Sequence, residues 1–311
     1  MTLVSAVTPT YNRADYIEGA IATVREQTHD PIEHVVVVDG STDDTREVLA
    51  GYEDDPDVRV LYNDRNRGIA YSFDRAVRAA DGEYVAILGD DDRWRPPKTE
   101  RQLRAMERLS GLVDDPGSYC GVYTAGVRQG PDGTAERIDT GAAGDLWPEI
   151  LLENVLIPDS SKLIRRDAVL EVGGFDTDFP HAVDWELGIR LAREYNWAYL
   201  PEVLVERAFH ADNVSGDIQF GDPAYEVEAK ELVYGKYRDA VETHVRGPFL
   251  GALEKQRGLA ALEAGDRLDA VGHLARAARH DPSVTVLATL ALSALGPGAY
   301  RAAWRLNDRL A

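Results

Sequence analysis

Four consecutive valines, at residues 35–38, constrain the fold of this chain more than any other feature of its sequence. β-Branched side chains favour an extended backbone. An apolar run without polar alternation is typical of a strand that is buried on both faces, and such strands occur in parallel sheets that carry helices on either side. The valine run therefore predicts the interior of an α/β fold.

Apolar runs and helical spacings alternate on both sides of this strand. Strands are predicted at residues 3–7, 58–62 and 83–88, and helices at residues 17–24, from Ser41 onward and at residues 68–79. Ser41 stands where its hydroxyl could cap the second helix. Strict alternation of strands and helices implies a doubly wound, mostly parallel, Rossmann-like sheet with right-handed crossovers.

The pattern is less regular beyond residue 96. A helix is predicted at residues 99–109, a strand at residues 119–126 and a hairpin turn at residues 131–133. Between residues 141 and 159 the pattern weakens, which predicts a loop and a short helix that face the site. A later helical stripe carries Asp184 in its first turn.

From about residue 222 to the end the sequence is helical and rich in Ala, Leu, Arg and Glu. We therefore predict two domains, the α/β domain at residues 1–220 and a helical region at residues 221–311. Residues 258–282 follow the spacing of one tetratricopeptide-like helix pair. Because a single repeat cannot bury its own apolar face, we interpret the pair as an appendage packed on the main domain, with a peptide receptor as the alternative.

The charge of the chain restricts its partners. The formal net charge is -20 and the pI is about 4.7, yet 44% of the residues are hydrophobic, which is enough to fold against the self-repulsion. Only five of the 34 basic residues are lysine, a composition that resembles proteins of salt-accumulating halophiles, in which counterions screen the acidic surface. No Lys/Arg-rich run is present that could displace the counterions of a nucleic acid, so nucleic acid is excluded as a partner.

Cysteine content and hydropathy indicate the compartment. The single cysteine, Cys120, excludes an intramolecular disulfide and a multi-cysteine metal site. The sequence has neither a signal-like N-terminus nor an apolar stretch of about 20 residues. We therefore expect a cytoplasmic protein, and peripheral association with the inner face of the cell membrane is compatible with this location.

Three carboxylates, Asp90, Asp91 and Asp92, follow the apolar run at residues 83–88. Open α/β sheets bind ligands outside the carboxyl ends of their strands, and adjacent carboxylates repel one another unless a cation lies between them. Hard divalent ions prefer oxygen ligands, so the triplet predicts a metal ion that bridges to a phosphate group. Taken alone, the triplet is explained equally well as a solvated acidic turn.

Two further loops open on the same edge of the predicted sheet. Pro-Thr-Tyr-Asn-Arg at residues 9–13 follows the first strand, and Asp-Gly-Ser at residues 39–41 follows the second. With these motifs and the acidic triplet, the chain resembles the family 2 inverting glycosyltransferases of the GT-A fold. The resemblance covers roughly residues 3–215 and includes Asn-Arg-Gly at 66–68, Gly-Gly-Phe-Asp at 173–176, Asp-Trp at 184–185 and His210.

The resemblance implies a nucleotide site. Thr8, Thr10 and Arg13 are implied to contact the base and the phosphates. Asp39 is implied to accept a hydrogen bond from the pyrimidine ring, and Asp90 to lie near the ribose.

The resemblance also implies a metal ion and a base. Asp91 is implied to bind the Mn²⁺ or Mg²⁺ that neutralises the diphosphate leaving group, with Asp92 and His210 beside the metal. Asp184 matches the catalytic base, which takes the proton of the acceptor hydroxyl on the face opposite the leaving group. Without the resemblance, Asp184 would be interpreted as an acid stabilised at the start of a helix.

The leading interpretation is a metal-dependent inverting glycosyltransferase. It would move a sugar from a nucleoside diphosphate sugar, with UDP as the expected nucleotide, to a glycan or lipid-linked glycan acceptor. With the halophile-like composition, the resemblance suggests an archaeal pathway that builds glycans on a dolichol-phosphate carrier for N-glycosylation of surface-layer proteins. Exopolysaccharide or glycolipid assembly is the alternative.

Two other functions compete with this interpretation. A nucleotidyltransferase on the same kind of sheet would be expected to carry a Gly-rich first loop with Lys or Arg in place of residues 9–13. A nucleotide-binding scaffold without catalysis belongs to another class of protein. The presence of both Asp91 and Asp184 argues against the scaffold.

Overall fold

The computed structural model describes residues 1–129, 135–207 and 223–295. The chain divides into two compact units, Met1–Ile150 with Asn154–Phe209, and Leu151–Glu153 with His210–Ala311. The predicted boundary between residues 220 and 221 lies outside the described residues.

The first unit contains one sheet with helices between its strands. Its strands are β1 Val4–Thr10, β2 Ile32–Val38, β3 Val58–Tyr62, β4 Tyr84–Ile87, β5 Arg93–Trp94, β6 Tyr119–Gln129, β7 Ala135–Ile138, β8 Leu163–Arg165 and β9 Asn196–Arg207. Its helices are α1 Ala14–Arg25, α2 Thr45–Ala50, α3 Ile69–Ala79, α4 Lys98–Ser110, α5 Arg166–Glu171 and α6 Val183–Glu194. A three-residue 3₁₀ turn, Asp159–Ser161, precedes β8.

The strand order is β3-β2-β1-β4-β8-β6-β9-β5, and β7 pairs with the far end of β6. β1 lies between β2 and β4 and runs parallel to both, so the carboxyl ends of these three strands meet at one edge. The predicted α/β sheet is confirmed in this half. The other half is mixed, because β8 enters antiparallel to both β4 and β6.

The core lies on both faces of the parallel half. The valine run at residues 35–38 is at most 2% exposed, which confirms its predicted position inside the sheet. Helix α1 buries Ile17, Ile21 and Val24 in the same apolar cluster, as its spacing predicts. This packing fixes the strand ends that carry the loops of the site.

One local prediction is wrong, and another concerns residues that the structure does not describe. Helix α2 begins at Thr45, and Ser41 does not cap it, because the Ser41 hydroxyl accepts a hydrogen bond from the backbone of Asn12 instead. The predicted hairpin turn at residues 131–133 lies outside the described residues, between the antiparallel strands β6 and β7.

The second unit is helical where the structure describes it. Its helices are α7 Pro223–Ala240, α8 Arg246–Glu263, α9 Arg267–His280 and α10 Val284–Leu295. Helices α8 and α9 form a close pair, in which a Cβ atom at Gly258 would lie 2.7 Å from the Leu274 side chain. Among the described helices, none is both long and apolar enough to cross a membrane.

Candidate active site

The candidate site lies at the edge where β1, β2 and β4 end. Thr10 pairs with Val38 at the end of the β1–β2 ladder, and Val7 pairs with Ile87 in the β1–β4 ladder. The loops that follow these strands therefore open side by side, at the position where open α/β sheets bind ligands. They contain the three motifs that the sequence singled out.

Asn12 ties the first loop to the second. Its φ angle of 53° lies in the left-handed region, which asparagine tolerates better than most residues. Its backbone N–H donates to Ser41 Oγ at 3.0 Å, and its Oδ1 atom accepts from the backbone N–H of Thr42 at 2.8 Å. The next residue, Arg13, donates its backbone N–H to Thr45 Oγ1 at 2.9 Å. These bonds hold the two loops together before any ligand binds.

Asp39 organises the loop that leads into α3. Its side chain is 3% exposed. Oδ1 accepts from Asn63 Nδ2 at 2.6 Å and from the Arg67 backbone N–H at 2.8 Å, and Oδ2 accepts from the Gly68 backbone N–H at 2.9 Å. A carboxylate offers about four acceptor positions, so after these three bonds it has room for one more donor, such as a pyrimidine N–H.

Thr8 and Thr10 occupy different levels of the same strand. Thr10 is the last residue of β1, and its carbonyl accepts from the backbone N–H of Asp39 at 2.8 Å. Thr8 is fully buried below the edge and its hydroxyl shares a hydrogen bond of 2.9 Å with the His34 ring. Burial, with a smaller contribution from the Arg25 charge, lowers the pKa of His34 to about 3, so this ring is neutral. The predicted contact between Thr8 and a nucleotide has no support in this geometry.

The acidic loop after β4 carries charge that its surroundings only partly neutralise. Burial, and then the adjacent charge of Asp91, raise the pKa of Asp90 to about 7. The Thr10 hydroxyl and Arg13, whose Nε lies 3.9 Å from Asp90 Oδ1, oppose this rise without cancelling it. A cation at this loop would favour the charged form of Asp90.

Asp91 and Asp92 converge over Gly89. A Cβ atom at Gly89 would lie 3.2 Å from Asp91 Oδ1 and 3.2 Å from Asp92 Oδ2, so glycine leaves a small space that carboxylate oxygens line. Asp92 is 7% exposed, and its Oδ2 accepts a hydrogen bond from the Ser160 hydroxyl. The oxygen atoms of Asp91 and Asp92 are of the kind that Mn²⁺ and Mg²⁺ prefer, so these two residues are compatible with the predicted metal.

The 3₁₀ turn Asp159–Ser161 connects this loop to the predicted base. The Ser160 hydroxyl accepts from the Gly89 backbone N–H at 2.9 Å and donates to Asp92, and the Ser160 carbonyl accepts from Trp94 Nε1 at 2.7 Å. The residue before it, Asp159, binds the same Lys162 ammonium as Asp184. The sequence places the acidic loop and Asp184 far apart, and this turn brings them into one site.

Asp184 lies in the first turn of α6, as predicted. Its Oδ2 atom accepts from Asn154 Nδ2 at 2.6 Å and from Lys162 Nζ at 3.1 Å, and the same ammonium donates to Asp159 Oδ1 at 3.1 Å. Ala182, just before the helix, has a φ of 53°, a strained conformation for alanine that is typical of functional sites. Apolar side chains line the space behind the ion pair: Ile87, Leu156, Ile164, Phe175, Leu187 and Trp197.

The two carboxyl groups beside Lys162 differ in proton affinity. Burial against the ion pair raises the pKa of Asp159, although 51% of its side chain is exposed, and the Asp184 charge raises it further. Burial alone would also raise the pKa of Asp184, but the Lys162 ammonium and the hydrogen bonds from Asp159, Lys162 and Asn154 lower it. The two carboxyl groups that bind Lys162 thus have pKa values shifted in opposite directions.

Sequence reasoning did not identify Asn154, Asp159 or Lys162. All three belong to or border the stretch of weak pattern at residues 141–159. Two features of the sequence could have pointed to them. Lys162 is one of only five lysines, and it stands three residues after an aspartate, directly before the short apolar strand β8.

Comparison with known proteins supports the predicted family. The model of the family described as glycosyl transferase family 2 matches residues 5–170, more than half of the chain. The chain belongs to glycosyl transferase family 2. The predicted family is thereby confirmed.

One curated relative extends the match to about two thirds of the chain. The chondroitin synthase of Pasteurella multocida (strain Pm70) is 31% identical over 217 residues, which are 68% of this chain and 21% of the synthase. The chain spans less than half of the length of the first curated relatives that it matches.

Solved structures share the fold. S. aureus TarS 1-349 in complex with UDP-GlcNAc superposes with a TM-score of 0.62 at 17% sequence identity, over 99% of this chain and 92% of that chain. The mannosyltransferase PcManGT from Pyrobaculum calidifontis, in complex with GDP-Man and Mn²⁺, gives a TM-score of 0.57 at 22% identity, over 94% of this chain and 79% of that chain. These likenesses confirm the predicted GT-A fold.

The residues predicted to bind metal lie only partly within the described part of this family 2 chain. His210, a predicted metal neighbour, lies outside the described residues. Within the described ranges, no three His, Cys, Asp or Glu side chains come together as a complete metal site. Divalent ions such as Mg²⁺ are usually held by one or two carboxylates together with substrate phosphates, so a larger cluster of protein ligands is not required for the predicted metal.

Proposed function

We propose that the protein is an inverting glycosyltransferase that takes a sugar from a nucleoside diphosphate sugar, with UDP as the nucleotide. The observation that carries the proposal is the 3₁₀ turn Asp159–Ser161, which joins the acidic loop to Asp184 through Ser160 and Asp159. A leaving diphosphate needs charge stabilisation on one side of the sugar, and an acceptor hydroxyl needs a base on the other. The turn supports both requirements within one site.

The nucleotide is proposed to bind across the first three loops. Asp39 accepts the pyrimidine N–H with its remaining acceptor position, and Thr10 and Asp90 lie towards the ribose. Arg13, held beside Asp90, donates to the phosphates. The TarS structure contains UDP-GlcNAc on the same fold, which supports UDP as the nucleotide.

We propose that Asp91 holds the divalent cation, assisted by Asp92 and by His210. When bound, Mn²⁺ or Mg²⁺ acts as a Lewis acid that stabilises the charge developing on the diphosphate. The Mn²⁺ in the PcManGT complex supports this choice of ion. The net charge of -20 makes a bound cation more necessary here than in a neutral protein.

Asp184 is proposed to remove the proton from the acceptor hydroxyl. The acceptor oxygen then forms a bond to the anomeric carbon, while the bond from that carbon to the diphosphate breaks and its electron pair leaves with the nucleotide. One displacement of this kind inverts the anomeric configuration. A scaffold without catalysis would have no need of a carboxylate held by Asn154 and Lys162 beside the acidic loop.

The acceptor is proposed to be a growing glycan, carried on dolichol phosphate and destined for N-glycosylation of surface-layer proteins, with the enzyme at the inner face of the membrane. The acidic, lysine-poor composition supports a halophilic source, and through it this pathway. Glycan analysis of a deletion strain tests the pathway. A surface-layer protein with unchanged glycans would favour exopolysaccharide or glycolipid assembly instead.

A screen of nucleotide sugars tests the activity. The purified protein is incubated with UDP- and GDP-linked sugars, with and without Mn²⁺, and release of the nucleoside diphosphate is measured. We expect release from a UDP-sugar that depends on Mn²⁺ and is lost in Asp91→Ala. Release that proceeds equally without metal, or no release from any nucleotide sugar, would overturn the proposal.

A further inference from the structure

The ion pair behind the proposed base has a geometry that a single catalytic carboxylate does not require. Lys162 is 3% exposed and lies 3.1 Å from both Asp184 Oδ2 and Asp159 Oδ1. A buried ammonium must be paired to stay charged, and the two carboxylates together outweigh burial and raise the pKa of Lys162. Lys162 is therefore a fixed cation at the centre of a carboxyl pair.

A carboxylate held by an ammonium and an amide is a weak base. Hydrogen bonds from Lys162 and Asn154 favour the charged form of Asp184 and so reduce its affinity for a proton. A general base works best when its pKa lies near the working pH. Asp184 alone would be poorly suited to deprotonate a sugar hydroxyl.

We propose, on the basis of the function proposed above, that Asp159 and Lys162 are positioning residues for Asp184: Lys162 fixes the orientation of the carboxylate, and Asp159 makes the two carboxyl groups accept one proton as a unit. Two carboxyl groups that bind the same ammonium titrate as a pair, because a proton on either one changes the charge beside the other. The pair thus takes up a proton more readily than Asp184 would with Lys162 alone.

The proton balance is simple. The acceptor O–H proton passes to Asp184 as the acceptor oxygen bonds to the anomeric carbon and the diphosphate leaves with its electron pair. The proton is then shared by Asp184 and Asp159, which bind the same Lys162 ammonium. Because 51% of the Asp159 side chain is exposed, this residue can release the proton to water after the product leaves.

The charged groups around the pair come from several elements. Lys162, between the 3₁₀ turn and β8, touches both carboxylates. Arg207, at the end of β9, lowers the pKa of Asp159 through its charge. Asn154 contributes the neutral amide that fixes Asp184. Burial, and then the like charge of Asp184, act against these partners and raise the pKa of Asp159.

The first test is the pH dependence of kcat/KM for the UDP-sugar found in the screen. In the wild type, activity should rise with pH as the carboxyl pair loses the proton that it shares. Asp159→Asn should move this rise to lower pH by more than about one unit and lower the plateau by about tenfold, because the remaining base is weaker. Lys162→Met should move the rise to higher pH. Burial and the charge of Asp159 then raise the pKa of Asp184, because the ammonium that opposes them is gone.

Asp178→Asn is the matched control, because it removes an exposed carboxylate six residues before Asp184. It should leave the pH profile where it is. A role in stability alone would reduce the amount of active protein without moving the profile. An unmoved profile in Asp159→Asn, or a shift in the same direction in both the Asp159 and Lys162 variants, would overturn the proposal.

The second test does not depend on activity. Aspartate ¹³Cγ NMR signals are followed during a pH titration of the free protein, wild type and Asp159→Asn. We expect the Asp184 signal to respond in two steps in the wild type and in one step in the variant. An Asp184 signal that titrates identically in both proteins would refute the carboxyl pair, even if no nucleotide sugar were turned over. If the screen shows no release from any nucleotide sugar but the Asp184 signal titrates in two steps, the proposed function is refuted and the carboxyl pair is not.

Discussion

Replacing Asp39 by asparagine should loosen the loop that leads into α3. The carboxylate accepts one bond from the Asn63 amide and two from the backbone of Arg67 and Gly68. The asparagine amide keeps one oxygen as an acceptor. An NH₂ group replaces the other oxygen, and this donor then faces an N–H group. Because Oδ1 holds two of the three bonds, the least costly orientation keeps oxygen there and loses the bond from Gly68.

The cost follows from the contacts. Two bonds change from charge-assisted to neutral, at about 1 kcal/mol each, and the lost bond is worth about 1.5–3 kcal/mol. The Gly68 N–H retains a bond of 3.0 Å to Asn66 Oδ1. Removing a charge from a side chain that is 3% exposed also returns some desolvation free energy. The net loss is about 3 kcal/mol, which corresponds to opening of the loop that is more than about 100-fold more frequent.

Hydrogen exchange measured by mass spectrometry on a peptide spanning residues 63–72 reports this opening directly. Asp64→Asn is a suitable control, since it makes the same change of charge on a side chain that is 64% exposed and pairs with Arg67 at the surface. Exposed pairs contribute at most about 1 kcal/mol, so exchange in the control should rise by no more than about fivefold. Equal exchange in the two variants would show that Asp39 does not hold this loop.

Three further predictions concern metal, base and salt. In Asp91→Ala, Mn²⁺ should no longer strengthen UDP binding measured by titration calorimetry; a variant that binds UDP like the wild type in both conditions would remove Asp91 from the metal site. In Asp184→Asn, single-turnover transfer should fall by roughly 10²–10⁴-fold with UDP affinity preserved, and transfer within about threefold of wild type would exclude the base role. The melting temperature should be higher in molar KCl than in dilute buffer, because counterions screen the charge of -20; a flat or falling value would contradict the halophile interpretation.

The parallel half of the fold was predictable because each of its strands and helices is indicated by residues that lie close together in the sequence. The valine run and the helical spacing of α1 each report burial within a few residues, and the motifs after β1, β2 and β4 then fall on one edge by topology alone. The mixed half was not predictable in the same way. The pairing of β5 with β9 joins Arg93 to Glu206, residues whose separation in the sequence leaves no local pattern.

The sequence predicted the motifs of the candidate site and did not predict the contacts around them. Asp184 was proposed from its family motif, but Lys162 and Asn154 reach it from a segment without clear periodicity. Ser41 illustrates a local rule that was overruled. A serine before a helix favours a cap, yet the neighbouring loop offers the Asn12 backbone N–H, and Ser41 bonds to that group instead.

The 3₁₀ turn Asp159–Ser161 also limits how such a chain can change in length. Ser160 donates a hydrogen bond to Asp92 in the acidic loop, and Asp159, the preceding residue, interacts with Asp184, the proposed base. The two contacts therefore depend on consecutive positions in the sequence. One residue inserted between them would move the leaving-group side and the acceptor side out of alignment together. A loop taken from a related protein to bind a different acceptor would therefore have to be inserted outside this turn. If the proposed donor and acceptor sides are exchanged between related chains, these three residues would have to stay together.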